Sequence, residues 1–140
     1  MSYQLILIPF LALIIAQLLK VIIDAFKGEF SWRNFNNYGG MPSSHSALVA
    51  ALCTVVFLQE GWDSTAFAIS LVFAFLIVRD AVGLRRYLGN HGKNINKLIK
   101  DLPDNKEAEY PYLEERLGHT YWQALAGIII GIVIALILYR

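Results

Sequence analysis

The sequence predicts an all-α integral membrane helical bundle with about four transmembrane helices, and three observations carry that expectation. Of its 140 residues 56% are hydrophobic and 16% charged, with a mean hydropathy of +0.49, too apolar for a soluble domain of this length. The apolar residues gather into four runs, about 3–26, 43–59, 64–84 and 119–138, each close to the ~20 residues that cross a bilayer. Most charged side chains lie between the runs or at their ends. One membrane-embedded domain, 1–140, is all the length allows. Cys53 is the single cysteine and lies in an apolar run, so a disulfide framework and a CxxC metal site are both excluded.

The first run is broken only near its end, by Gln17, Lys20 and Asp24. It is too long for a signal-peptide core and lacks a small-residue cleavage site, so it reads as a retained span. Gln17 and Lys20 are one turn apart on one face, which should look into protein rather than lipid. A polar linker follows with Trp32, Phe35 and Tyr38, the aromatics expected at a membrane interface. Then comes Gly39-Gly40-Met41-Pro42-Ser43-Ser44-His45-Ser46-Ala47. Two glycines permit a tight turn, Pro42 presets φ for a first helical turn, and Ser43 or Ser44 can cap it. The N–H groups of such a helix start attract anions, and His45 adds a titratable ring there. The plainer reading is a well-capped helix with an incidental histidine.

The second run is short for a span unless counted from Ser43 to Gln59. Gly61-Trp62-Asp63-Ser64 reads as a tight turn whose Asp63 or Ser64 caps the third helix. That helix should continue to about Leu84, with Arg85-Arg86 closing it. Residues 87–118 read as a polar cytoplasmic loop. Within it Ile95, Leu98, Ile99 and Leu102 recur at helical spacing, predicting a short interfacial helix that Pro103 ends. His91 reads as a turn residue. Glu107, Glu109, Glu114 and Glu115 make an acidic stretch. The last run carries Gly127 and Gly131, a GxxxG step for close helix packing, with packing inside the same chain favoured over dimerisation.

Four crossings put the ends of helices one and three on the same membrane face as the starts of helices two and four. That face collects Lys20, Ser43, Ser44, His45, Asp80, Arg85, Arg86, Arg116 and His119. The positive-inside rule makes it cytoplasmic, in a multi-pass protein of the cell membrane with both termini outside. His119 begins its helix much as His45 begins another, so two imidazoles open onto one patch of Lys and Arg, the donor set phosphate chemistry needs. Gln123, one turn after His119, is placed to hold its Nδ1 side. Asp80, a carboxylate within a span, is either a functional group or the partner of Arg79, Arg85 or Arg86. Nucleic-acid binding is not expected, since the cations lie among membrane crossings. A transporter would need paired broken helices or an inverted repeat, and neither is evident.

With these residues assembled, the sequence resembles the divergent branch of the type 2 phosphatidic acid phosphatase superfamily, which is related to acid phosphatases and vanadium-dependent haloperoxidases. The resemblance spans nearly the whole chain. Its most specific element is Pro42-Ser43-Ser44-His45, similar to a Pro-Ser-Gly-His motif; Asp80 to Arg86 and Leu117 to Thr120 support it. The resemblance implies that His45 protonates the leaving group, that backbone N–H groups of Ser43 and Ser44 hold phosphate oxygens, and that His119 is the nucleophile. Gln123 falls where the superfamily has an orienting aspartate, and Leu113 where it has an arginine six residues before the histidine. No Arg-Pro follows Lys20 or Lys27 at the superfamily's spacing. Arg85, Arg86 or Arg116 would have to supply the missing charge.

The function expected is a metal-independent membrane phosphatase, without cofactor, acting on a lipid phosphate or diphosphate through a phosphohistidine intermediate. Lys20, Arg85 and Arg86 would stabilise phosphoryl charge, while cations and a helix start should lower the pKa of His119. The alternative is a non-catalytic membrane protein that binds anionic lipid headgroups or assists a partner. A homodimer would help enclose a site that four helices enclose poorly.

Overall fold

The computed structural model describes residues 3–28, 39–102 and 110–140. The linker with Trp32, Phe35 and Tyr38, and the stretch with Pro103, Glu107 and Glu109, lie outside the described residues. The described residues form five helices: α1 (Gln4–Phe26), α2 (Ser44–Glu60), α3 (Thr65–Val82), α4 (Leu84–Lys100) and α5 (Tyr121–Leu138). Three of them, α1, α3 and α5, are long and apolar enough to cross a membrane. At 17 residues α2 is shorter, and it is the helix the others are built around. It packs against α1, α3 and α5, while α1 also meets α5 and α3 meets α4.

Small residues let these helices approach closely. Ala124, Gly127, Gly131 and Ala135 form the buried stripe of α5, and Ile8, Ala12, Ala16 and Lys20 that of α1. A Cβ on Gly127 would run into the carbonyl oxygen of Ser43, and one on Gly131 into that of Ala47. The GxxxG step is therefore spent inside the chain, on the first turns of α2, as its sequence favoured. Ile8, Ala12, Ala51, Val55 and Ala135 make the apolar core where α1, α2 and α5 meet. Most large apolar side chains instead face outward, including Ile69, Val72, Phe75 and Leu76 of α3, as lipid exposure requires.

Local chemistry sets the helix ends. Ser43 caps α2 with its hydroxyl accepting from Ser46, and Ser64 rather than Asp63 caps α3, accepting the N–H of Phe67 at 3.1 Å. Pro42 stands just ahead of the Ser43 cap, after a cis peptide bond, not inside the first turn. Thr120 caps α5 in a full capping box with Gln123, which leaves His119 outside that helix.

The third helix does not run through to Leu84. Gly83 breaks it, with φ −103° and ψ −94°, and α4 starts at once. α4 is thus a 17-residue amphipathic helix, longer than the short interfacial helix its apolar spacing suggested, and His91 lies within it, exposed, rather than in a turn. Asn96 of α4 clamps the returning chain. Its side-chain amide donates to the carbonyl of Leu113 at 2.8 Å and to Glu115 at 2.9 Å, while its oxygen accepts the N–H of Leu113 at 3.0 Å. Two of those bonds satisfy the main-chain groups of Leu113, in a segment without regular secondary structure.

Candidate functional site

The site forms where the 39–43 loop, the ends of α1 and α3, and the 116–120 segment converge. Breaking α3 at Gly83 releases the carbonyl of Ala81 from a continuous helix, and that oxygen accepts the backbone N–H of His119 at 2.9 Å. Gly118 makes the approach possible. Its φ is +80°, and a Cβ there would collide with the backbone of Arg86 and lie 2.9 Å from the Ala81 oxygen. The segment is held again where Ser43 N–H donates to the carbonyl of Gln123 at 3.1 Å. α2 and α5 are thereby joined at their first turns by a main-chain bond.

His119 is buried, at 6% exposure. Its Nδ1 lies 3.1 Å from the carbonyl oxygen of Gly40, a residue at φ +104°. A carbonyl only accepts, so Nδ1 carries the proton and Nε2 keeps a lone pair in the neutral ring. Burial lowers the His119 pKa below the ordinary histidine value; the Gly40 carbonyl opposes this, and Lys20 adds to it. The expected direction holds, but burial leads, and the start of α5 is capped by Thr120 rather than by this ring.

At Nδ1 the partner is the Gly40 carbonyl, while Gln123 Oε1 accepts the Thr120 N–H at 2.8 Å to close the capping box and the Gln123 side chain also interacts with His119. Sequence reasoning missed Gly40, for which the Gly39-Gly40 doublet was the only signal.

His45 is exposed in the first turn of α2, and the charges acting on it are Arg85 and Lys20. His119 in turn feels Lys20 and His45. The two imidazoles therefore share one electrostatic environment, with Lys20 common to both. Lys20 is 5% exposed, its side chain lying against Gly40, and it has Asp24 as a nearby countercharge. A cavity of about 260 Å³ adjoins this place, lined by Lys20, Lys27, Gly40, Arg116, Gln123 and Asp24 among others.

One residue expected to hold phosphate is otherwise employed. Ser43 is fully buried: its N–H is given to Gln123, and its hydroxyl accepts from Ser46 Oγ at 2.9 Å as well as from the Ser46 N–H. It builds the turn instead of binding an anion. Ser44 and His45 then hold the first two positions of the helix. Asp80 accepts from Arg85 Nε at 2.6 Å, the ion-pair alternative for that carboxylate, and both groups are partly exposed. Arg86 is exposed and meets the site through its backbone beneath Gly118. Among the described residues no group of three or more His, Cys, Asp or Glu side chains is placed to hold a metal ion.

A family model described as the divergent PAP2 family matches residues 1–134. The chain belongs to that family. It is also 40% identical over 139 residues to the uncharacterized membrane protein YuiD of Bacillus subtilis (strain 168), covering 91% of this chain and 88% of that protein. No solved structure matches the chain. As a member of the divergent PAP2 family, the chain is an all-helical, multi-pass membrane protein, and a phosphatase-related role is the one the family suggests. Within this PAP2 chain, the Pro42-Ser43-Ser44-His45 element and the His119 segment are far apart in sequence and meet through the Ser43–Gln123 and Gly40–His119 bonds.

Proposed function

We propose that this protein is a membrane phosphatase that hydrolyses a lipid phosphate or diphosphate through a phosphohistidine at His119. The observation that supports the reading is that the Ser43–Gln123 and Gly40–His119 bonds bring the first turn of α2, which carries His45, to His119 and buried Lys20, with His119 turned by Gly40 so that Nε2 keeps its lone pair. In the first step Nε2 attacks phosphorus and the bond to the lipid oxygen breaks. Protonated His45 gives its proton to that oxygen, so the alcohol leaves neutral, or, from a diphosphate, the lipid monophosphate leaves with that oxygen protonated. In the second step water attacks the phosphorus and His45 takes back a proton. The P–N bond breaks, its electron pair returns to Nε2, and inorganic phosphate departs. Lys20 and Arg85 offset the charge on the phosphoryl oxygens. Arg116, on the adjoining cavity with Lys20, would hold the second phosphoryl group of a diphosphate.

No metal or cofactor takes part in this scheme. By the positive-inside rule the site face is the cytoplasmic face of the cell membrane. Purified protein should release phosphate from a lipid phosphate, and His119→Ala and His45→Ala should each lose nearly all of that release. Equal rates in the parent and both variants would end the catalytic reading.

One observation favours a second reading, a non-catalytic protein that binds anionic lipid headgroups or assists a partner. The groups that meet His119, the Gly40 carbonyl and the Gln123 amide, are neutral, so an imidazolium there gains no carboxylate partner from them. Headgroup binding without turnover or vanadate competition would support it.

A further inference from the structure

Beneath the site, α2, α3 and α5 leave an apolar cavity of about 350 Å³ lined by Val49, Ala50, Cys53 and Thr54 of α2, with α3 and α5 forming its walls. α3 and α5 scarcely touch, so α2 is the floor of a groove that opens between them toward lipid. Its α3 wall is Leu71, Ala74, Phe75 and Val78, and Leu71 and Phe75 are 51% and 64% exposed.

The depth of this groove is informative. Val49, Val78 and Ile128 lie about 6–11 Å below the helix ends that carry the site, at 1.5 Å of rise per residue. Thr54, Leu71 and Ile132 lie about 15–17 Å below, which is about half of the ~30 Å hydrocarbon core. The groove thus spans the single leaflet adjoining the site and stops near the midplane. Its upper end meets the site along α2. Val49 is one turn below His45 on the same face of α2.

We propose that the groove between α3 and α5 is a subsite for one hydrocarbon chain of a lipid phosphate whose headgroup rests at His45 and Arg85. The inference deepens the phosphatase reading and rests on it only for the position of the headgroup. It makes the ligand a lipid of the site-facing leaflet, with one chain held by protein and any second chain left in the bilayer. A chain tethered to a phosphate at His45 enters the groove at a far higher effective concentration than a chain of the surrounding bilayer. A water-soluble phosphate ester forgoes the groove altogether.

The test uses the full-length protein in nanodiscs of neutral phospholipid and a hexadecyl phosphate carrying a diazirine at mid-chain. Photolysis with His119→Ala, which blocks turnover, should label peptides containing residues 71–78 and 128–132. Unlabelled hexadecyl phosphate should compete several-fold better than hexadecanol. Ala74→Phe and Ile132→Trp, which fill the groove from its two walls, should each lower this labelling at least fivefold. In the otherwise unmodified protein they should also lower kcat/KM for hexadecyl phosphate about tenfold, with little change for phenyl phosphate. Label spread equally over the lipid-facing side of α1, equal competition by hexadecanol, or an undiminished preference for the long chain in both filled variants would overturn the subsite. So would a groove that resists labelling because a second copy of the chain covers it. Labelling in the groove without phosphate release from the parent would sink the phosphatase reading and leave the subsite standing; release without labelling would do the reverse.

Discussion

His119 Nδ1 lies 3.1 Å from the carbonyl oxygen of Gly40, while the backbone N–H of the same histidine donates to Ala81 at 2.9 Å. One residue is thereby tied to the loop before α2 and to the end of α3. A neutral carbonyl fixes the tautomer as well as a carboxylate does, but it gives an imidazolium less support. The position of the ring and its basicity are thus set by different groups, and they can be tested separately.

Position depends on Gly118. Gly118→Ala would place a methyl against the backbone of Arg86 at a φ of +80°, where an L side chain alone costs about 1–2 kcal/mol. Because the obstacle is main chain, no side-chain rotation relieves it. The variant should lose phosphate release almost completely and unfold at lower temperature. Parent-like activity would show that the His119 segment tolerates displacement.

Helix packing depends on Gly131. Gly131→Val would force α5 away from the Ala47 carbonyl and should destabilise the bundle by about 1–3 kcal/mol, the usual cost of overpacking. Thermal unfolding in detergent measures it. If stability were unchanged and only dimerisation lost, the glycines would face another copy instead of α2.

The pKa of His119 is lowered, chiefly by burial, so the neutral nucleophile should persist below the ordinary histidine value of about 6.5. The acid limb of kcat/KM is therefore expected below pH 6.5. Stability has the same sign. The unfolded chain takes up the proton first, so the contribution of this group is full above about pH 6.5 and is lost as pH falls through the folded value. His119→Gln should flatten that part of the stability profile. An acid limb above 6.5 that disappears in His119→Gln stability scans would contradict the burial argument.

Basicity responds to Gln123. Glu keeps a capping box at this position, so Gln123→Glu should preserve the start of α5 while placing a carboxylate beside the ring. A neighbouring opposite charge favours the imidazolium, and the acid limb should move up by about one pH unit. A limb that stays put would mean that Gln123 does not act on His119.

Much of the bundle was legible because its signals are local. The apolar runs, the Gly61–Ser64 turn and the GxxxG stripe each fit within a few turns of helix, and each has its counterpart in the structure. The convergence of His45 and His119 on one face followed from counting crossings. What escaped notice depends on main chain brought from far away. Nothing near Gly40 in sequence indicates that its carbonyl meets a ring 79 residues later, and nothing near Asn96 indicates Leu113. Ser43 was misjudged for the same reason, since its N–H is claimed by Gln123 across the bundle. The break at Gly83 was hidden because hydropathy continues through Val82 and Leu84, while the backbone changes direction at a residue without a side chain.

The most direct test is to mix the protein with a lipid phosphate, quench in alkali within the turnover time, and map the modified peptide by mass spectrometry. The mechanism predicts an acid-labile phosphoryl group on His119, absent from His119→Ala, and formed more slowly in His45→Ala. Steady phosphate release with no phosphoryl group on His119, or with that group on another residue, would contradict it.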